Sequence, residues 1–263
     1  MKEEVFENPD IRILLVDDNR VNQFLGKRLL KNIGIENVDL CSNGTDALTK
    51  ISEVKYDVLL TDIEMPGMNG YELSQAVRVQ QQDPSQQLLI VALTGNASDE
   101  DKSKAIESGI NVFITKPYSP EDLLNVLKKH FQNEQPALIE EKPTENICAV
   151  KPELDQLYNI FNHNADDVRH FLMMLSFQIP ELQKEMHAGI AATNWQQLFQ
   201  ATHKIKSPLK LFGNTKLVQL LEELSDDARN EINTASYASR MNEIHELLEE
   251  NMLLIHETLD GMI

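Results

Sequence analysis

Four short apolar runs, Ile11–Val16, Asp57–Thr61, Leu88–Leu93 and Asn111–Ile114, each finish beside polar side chains of a particular kind. Asp17 and Asp18 follow the first, Asp62 the second, Thr94 the third and Lys116 the fourth. Stretches with helical spacing lie between and after them, at Val21–Ile33, Thr45–Val54, Tyr71–Gln80, Asp99–Ser108 and Glu121–His130. Val38–Cys41 supplies a further strand candidate. Strand–helix alternation predicts a parallel sheet with helices on both faces. Working sites in such sheets lie outside the carboxyl ends of the strands, at a switch point in strand order. Three carboxylates, a hydroxyl and an ammonium are therefore expected on one edge.

That set has a chemical logic. Crowded carboxylates repel one another and call for a cation. Oxygen ligands suit a hard ion such as Mg²⁺, which also binds phosphate. A metal beside Asp62 would draw a phosphoryl group towards its carboxylate, and phosphoryl transfer needs mostly positioning and charge neutralisation. Asp62 is then a carboxylate nucleophile that forms an aspartyl phosphate.

The motifs LLVDDNRVN at 14–22, LLTDIEMPGMNGYEL at 59–73, ALTGNA at 92–97 and VFITKP at 112–117 resemble the receiver domain of two-component response regulators, in the right order across residues 11–131. The resemblance implies a doubly wound, flavodoxin-like, five-stranded sheet of order 2-1-3-4-5. It implies Asp62 as phosphoacceptor and Asp18 and Asp62 as direct Mg²⁺ ligands. The Glu64 backbone carbonyl would be the third ligand, and Asp17 would act through water. Thr94 and Lys116 would hold the phosphoryl group. Lys116-Pro117 is a cis candidate. Phe113, three residues before Lys116, takes the place of the aromatic switch residue, a place the nearby Tyr118 does not hold.

Plainer readings stand beside these. An acidic pair after a strand often only caps a helix, and Asn19 can do the same. Phe113 reads equally as core or switch, because aromatics in short strands usually pack.

The chain has 263 residues, enough for two modest domains. No apolar run approaches the ~18 residues of a membrane helix. MKEEVFENPD lacks the apolar stretch of a signal peptide. Cys41 and Cys148 give neither a disulfide framework nor a metal spacing. These features predict a cytoplasmic setting without membrane contact. The net charge of −18 argues against a nucleic-acid partner, which needs a basic patch.

Character changes after His130. Residues 132–150 hold two prolines, several acids and no periodicity, and read as a linker in which Ala137–Ile139 is a docking candidate. This divides the chain into 1–131, 132–150 and 151–263. From Pro152 apolar residues recur at three-four spacing in Leu154–Phe161, Val168–Ile190, Trp195–Phe212, Leu217–Ala228 and Tyr237–Leu259. One short helix and four longer ones predict an antiparallel bundle. Pro180 and Pro208 fall inside helical patterns, where a kink is expected, and Pro180 is a place for the long segment to divide.

His203, Lys206, Ser207 and Lys210 share one helix face. Leu198, Thr202, Ile205, Leu209 and Phe212 form a different, mostly apolar stripe, so His203 is expected to point into water. A neutral imidazole is a competent nucleophile for phosphoryl transfer. Lys206 would neutralise the product's charge. Lys204, Lys206, Lys210 and Lys216 form a basic island suited to an acidic, phosphate-bearing pocket. The run HKIKS, with Gly213 beyond it, resembles a histidine phosphotransfer domain over roughly 151–260. Ser207 stands where that family carries glycine, and Pro208 follows it. Gly213 is a C-cap candidate. Met173, Met174 and Met186 read as core filler.

The combined reading is a two-component phosphorelay segment, similar to the C-terminal end of a hybrid sensor histidine kinase. Its expected partners are a sensor histidine kinase and other receiver domains. No kinase signature is present in the sequence. Two alternatives stay open: a phosphorylation-switched binding module with His203 silent, and an aspartate-based phosphohydrolase suggested by Asp62-Ile63-Glu64. The second is disfavoured because such a loop should follow the first strand.

Overall fold

The computed structural model describes residues 5, 6, 8, 10–81, 88–95, 99–131, 154–211 and 214–262. The chain divides into two compact units, Met1–Lys142 and Pro143–Ile263. The expected linker 132–150 lies outside the described residues, as do Cys148, Phe212 and Gly213.

In the first unit, strands β1 (Ile13–Val16), β2 (Val38–Cys41), β3 (Val58–Asp62), β4 (Leu89–Thr94) and β5 (Val112–Thr115) alternate with helices α1 (Arg20–Asn32), α2 (Gly44–Glu53), α3 (Gly70–Gln80), α4 (Asp99–Ser108) and α5 (Pro120–Phe131). All strand pairs are parallel, in the order β2-β1-β3-β4-β5. The short, almost wholly apolar strands are what burial on both faces demands. Successive side chains alternate between the faces. Leu14, Val16, Leu59, Ile90 and Ala92 enter one core with Leu73, Val77 and Ala105 of the helices. Helices α2, α3 and α4 contact one another in series, while α1 contacts α5.

Side-chain caps set the helix starts. Asn19 and Asn43 accept from Val21 N and Asp46 N. Asn69 and Glu72 form a reciprocal capping box at the start of α3. The strands of the four apolar runs all start one or two residues later than the runs do, and ahead of two of them polar side chains do other work. Asp57 accepts from Arg12 N at 2.7 Å just ahead of β3. Asn111 accepts from Arg78 and from Ile90 N ahead of β5.

The second unit contains α6 (Leu154–Ile160), α7 (Ala165–Ala191), α8 (Trp195–Leu211), α9 (Thr215–Asn230), a short 3₁₀ turn at Thr234–Ser236 and α10 (Tyr237–Gly261). The four long helices contact their neighbours in a closed ring, α7 to α8 to α9 to α10 and back. The pairs Phe199–Arg229 and Lys210–Glu222 run in opposite directions along α8 and α9, as antiparallel packing requires.

Helix α7 does not divide at Pro180, and α8 runs through Pro208. An interior proline costs roughly 3 kcal/mol. Burial of a large apolar side chain returns about 1.5–3 kcal/mol. Ile179, Leu182 and Met186 flank Pro180 in the core, and Ile205 and Leu209 flank Pro208, so packing outweighs the lost bond. Met186 is core as expected, but Met173 is exposed, because it lies on the face of α7 opposite the buried stripe. No helix among the described residues is long and apolar enough to cross a membrane.

Candidate functional site

Strand order reverses at β1, which lies between β2 and β3. The register pairs Val16 with Thr61, so Asp17 and Asp62 leave adjacent strands side by side. Each of Asp17, Asp18 and Asp62 offers a carboxylate oxygen within 4.8 Å of the others. Among the described residues this is the one group of three possible ligands so placed.

Lys116 follows β5, and its backbone N donates to Thr94 O at 2.6 Å, which ties it to the end of β4. The Lys116-Pro117 bond is cis, as expected. The buried Lys116 ammonium donates to Asp17 Oδ2 at 2.7 Å and to Asp62 Oδ2 at 2.8 Å. Burial pushes the Asp17 carboxyl up to about 6 against the pull of Lys116, and the Asp62 charge adds to the rise. Burial works against charge on Lys116 too, but Asp17 and Asp62 outweigh it and hold the ammonium above its ordinary range. Lys116 contacts two of the three clustered carboxylates, Asp17 and Asp62. The all-oxygen donor set fits a hard divalent ion.

The other residues singled out in the sequence take varied places. Thr94 ends β4 and is buried. Glu64 is half-buried, and its N donates to Asp62 Oδ1 at 3.3 Å. Phe113 lies half-buried on β5 against the core, whereas Tyr118 is buried.

Three contributors were not anticipated. Asn22 donates to Asp17 Oδ1 at 3.1 Å, alongside Asn19 N at 2.9 Å. Gln23 Nε2 joins Asp17 O, Cys41 O and Ser42 Oγ, holding the ends of β1 and β2 together. Gly70 packs so closely on β3 that a Cβ there would lie 2.4 Å from Asp62 O. Only the asparagine-glycine pair at the start of α3 hinted at the last.

In the second unit α8 carries His203, Lys206 and Ser207, and all three are buried. This corrects the expectation that His203 points into water: it is only 7% exposed. The apolar stripe of Leu198, Thr202, Ile205 and Leu209 does face the core, but the opposite stripe is covered as well. Phe199, one turn earlier, lays its ring beside the imidazole with centroids 6.0 Å apart. The Arg229 guanidinium of α9 lies 5.1 Å from the Phe199 ring centroid. The basic island is also partly neutralised. Lys210 pairs with Glu222 at 2.7 Å and Lys216 with Glu243 at 2.8 Å.

Residues 13–128 match the family model of the response regulator receiver domain, and this part of the chain is a receiver domain. The chain is 29% identical over 232 residues to Sensor protein EvgS of Escherichia coli (strain K12), covering 84% of this chain and 18% of EvgS. It is 28% identical over 220 residues to Sensor histidine kinase GacS of Pseudomonas protegens, covering 82% of this chain and 24% of GacS. The chain thus spans less than a third of the length of either relative. Alignments of this length run beyond the receiver into the helical half, which fits a histidine phosphotransfer-like module. A solved receiver domain of sensor histidine kinase PA1611 from Pseudomonas aeruginosa PAO1, with a magnesium ion coordinated in its active site cleft, is 31% identical. It covers 45% of this chain and 95% of that one, with a TM-score of 0.41.

Proposed function

We propose that this chain relays phosphate in a two-component pathway. Asp62 is the acceptor within a receiver of residues 1–131, and His203 is the phosphorylated side chain of a bundle of residues 151–263, joined by the linker 132–150. The Lys116 ammonium held between Asp17 and Asp62, with Asp18 beside them, carries the receiver half of this reading.

An oxygen of the Asp62 carboxylate attacks the phosphorus of a phosphohistidine. The acyl O–P bond forms as the N–P bond breaks, and the departing imidazole keeps the electron pair and takes a proton from solvent. Lys116 and the Thr94 hydroxyl hold phosphoryl oxygens as charge moves onto Asp62. Asp17, Asp18, Asp62 and the Glu64 backbone carbonyl would hold Mg²⁺, which neutralises the carboxylates and the phosphoryl oxygens when bound. Reorientation of Thr94 with repacking of Phe113 transmits the phosphorylated state to the β5 face. His203 exchanges phosphate with a receiver aspartate, with Lys206 balancing charge on the product. The donor is a sensor histidine kinase, the exchange partners are receiver domains, and the setting is cytoplasmic.

The test uses acetyl phosphate and Mg²⁺ on the full chain. Wild type takes up alkali-labile phosphate, and Asp62→Asn does not. Equal alkali-labile uptake by the variant would overturn the assignment.

A further inference from the structure

We infer that Phe199, held by Arg229, is a positioning residue for the His203 imidazole; the inference rests on the proposed role of His203. A histidine nucleophile needs its reacting nitrogen aimed at phosphorus, and two side-chain torsions must be fixed to aim it. Phe199 lies one turn before His203 on the same face of α8, with ring centroids 6.0 Å apart and planes tilted by 34°. A phenyl ring has no hydrogen-bonding group. It restricts the imidazole plane without engaging a nitrogen lone pair.

Phe199 is itself anchored from the neighbouring helix. The Arg229 guanidinium lies 5.1 Å from its ring centroid, within the range of cation–π attraction. Arg229 on α9, Phe199 and His203 on α8 therefore form a stack of cation, phenyl ring and imidazole. The stack ties the imidazole to the α8–α9 packing rather than to α8 alone. The imidazole is 7% exposed, and the Phe199 ring lies on one side of it. Neither Phe199 nor Arg229 is assigned contact with the phosphoryl group. Both act through His203.

The experiment uses the full chain in an Asp62→Asn background, with potassium phosphoramidate as donor. The imidazole lone pair forms the new N–P bond as the donor's N–P bond breaks and ammonia leaves with its electron pair. The ring then gives its extra proton to water. Alkali-stable phosphate at position 203 is located by mass spectrometry. Phe199→Leu keeps apolar volume without the ring, and should lower the maximal rate about tenfold while leaving the half-saturating donor concentration unchanged. Phe199→Tyr restores the ring and should restore the rate. Imidazole nuclear magnetic resonance signals of His203 should move in Phe199→Leu and stay near wild type in Phe199→Tyr. Arg229→Met, which keeps both rings, should slow the reaction about threefold. Wild-type rate and unmoved imidazole signals in Phe199→Leu would overturn the positioning role while leaving the His203 reading intact. Undiminished alkali-stable phosphate in His203→Gln would overturn the His203 reading and the inference with it.

Discussion

Lys116 and Asp62 meet as a buried ion pair, Nζ to Oδ2 at 2.8 Å, and the same ammonium reaches Asp17 at 2.7 Å. The pair joins the ends of β5 and β3 across β4, so the site and the packing of the sheet edge depend on one side chain. Breaking a buried pair by removing one partner costs roughly 3–5 kcal/mol. Lys116→Met should therefore destabilise the receiver by that order in chelator, and added Mg²⁺ should recover part of the loss. Chemical denaturation with and without the ion measures both effects. A variant as stable as wild type in chelator would contradict the pairing.

The ion should stabilise the wild-type receiver as well. A ligand at a hundred times its dissociation constant adds about 2.7 kcal/mol to a state that alone binds it. Thermal unfolding should shift upward with Mg²⁺ and return with excess chelator. Asp18→Asn should shrink the shift, because one of the three clustered carboxylates is gone.

Gly70 is the hidden support of Asp62. A methyl group there would meet the Asp62 carbonyl oxygen at 2.4 Å and the Ile63 Cα at 2.9 Å. Backbone cannot yield as a flexible side chain does, so Gly70→Ala should cost about 1–3 kcal/mol and displace the acceptor. Denaturation should report the loss, and acetyl phosphate should label the variant more slowly. Unchanged stability and labelling would show that α3 moves aside freely.

Tyr56 and Asp39 predict a pH signature away from the site. The Tyr56 hydroxyl donates to Asp39 Oδ2 at 2.8 Å. This bond, opposed by partial burial and aided by Arg12, holds the Asp39 carboxyl below its usual range. Its stabilising contribution is present above the ordinary carboxylate pKa and is lost as pH falls through the lowered value. Burial, with the Asp39 bond, pushes the Tyr56 phenol up to about 12 from 10.0, so its own contribution is complete below 10 and is lost as pH rises through about 12. Tyr56→Phe should flatten both limbs of the stability–pH curve. Limbs as steep as wild type would count against the bond.

Much of the receiver was legible in the sequence because its periodicities are simple. Strands buried on both faces read as apolar runs, and the chemistry sits at or just past the carboxyl end of each. Asp17, Asp18, Asp62, Thr94 and Lys116 could be placed by counting. Gln23 and Gly70 could not, since their importance lies in the backbone that folding brings against them: Asp17 and Cys41 for Gln23, Asp62 and Ile63 for Gly70. The bundle was harder at α8. Three-four spacing identifies the stripe that faces the core, but it says nothing of what covers the other side. His203 therefore reads as solvated, although it is buried with the Phe199 ring beside it. At Pro180 the local rule leaves a kink or a break open, and with Ile179, Leu182 and Met186 packed in the core the helix continues unbroken.

The most direct test of the account is transfer from a phosphohistidine. The full chain is incubated with Mg²⁺ and the radiolabelled, autophosphorylated catalytic core of a sensor histidine kinase. The label is then located in wild type and in Asp62→Asn. The account predicts alkali-labile label on Asp62 in wild type and none on the receiver of the variant. Label accumulating equally on the Asp62→Asn receiver would contradict it.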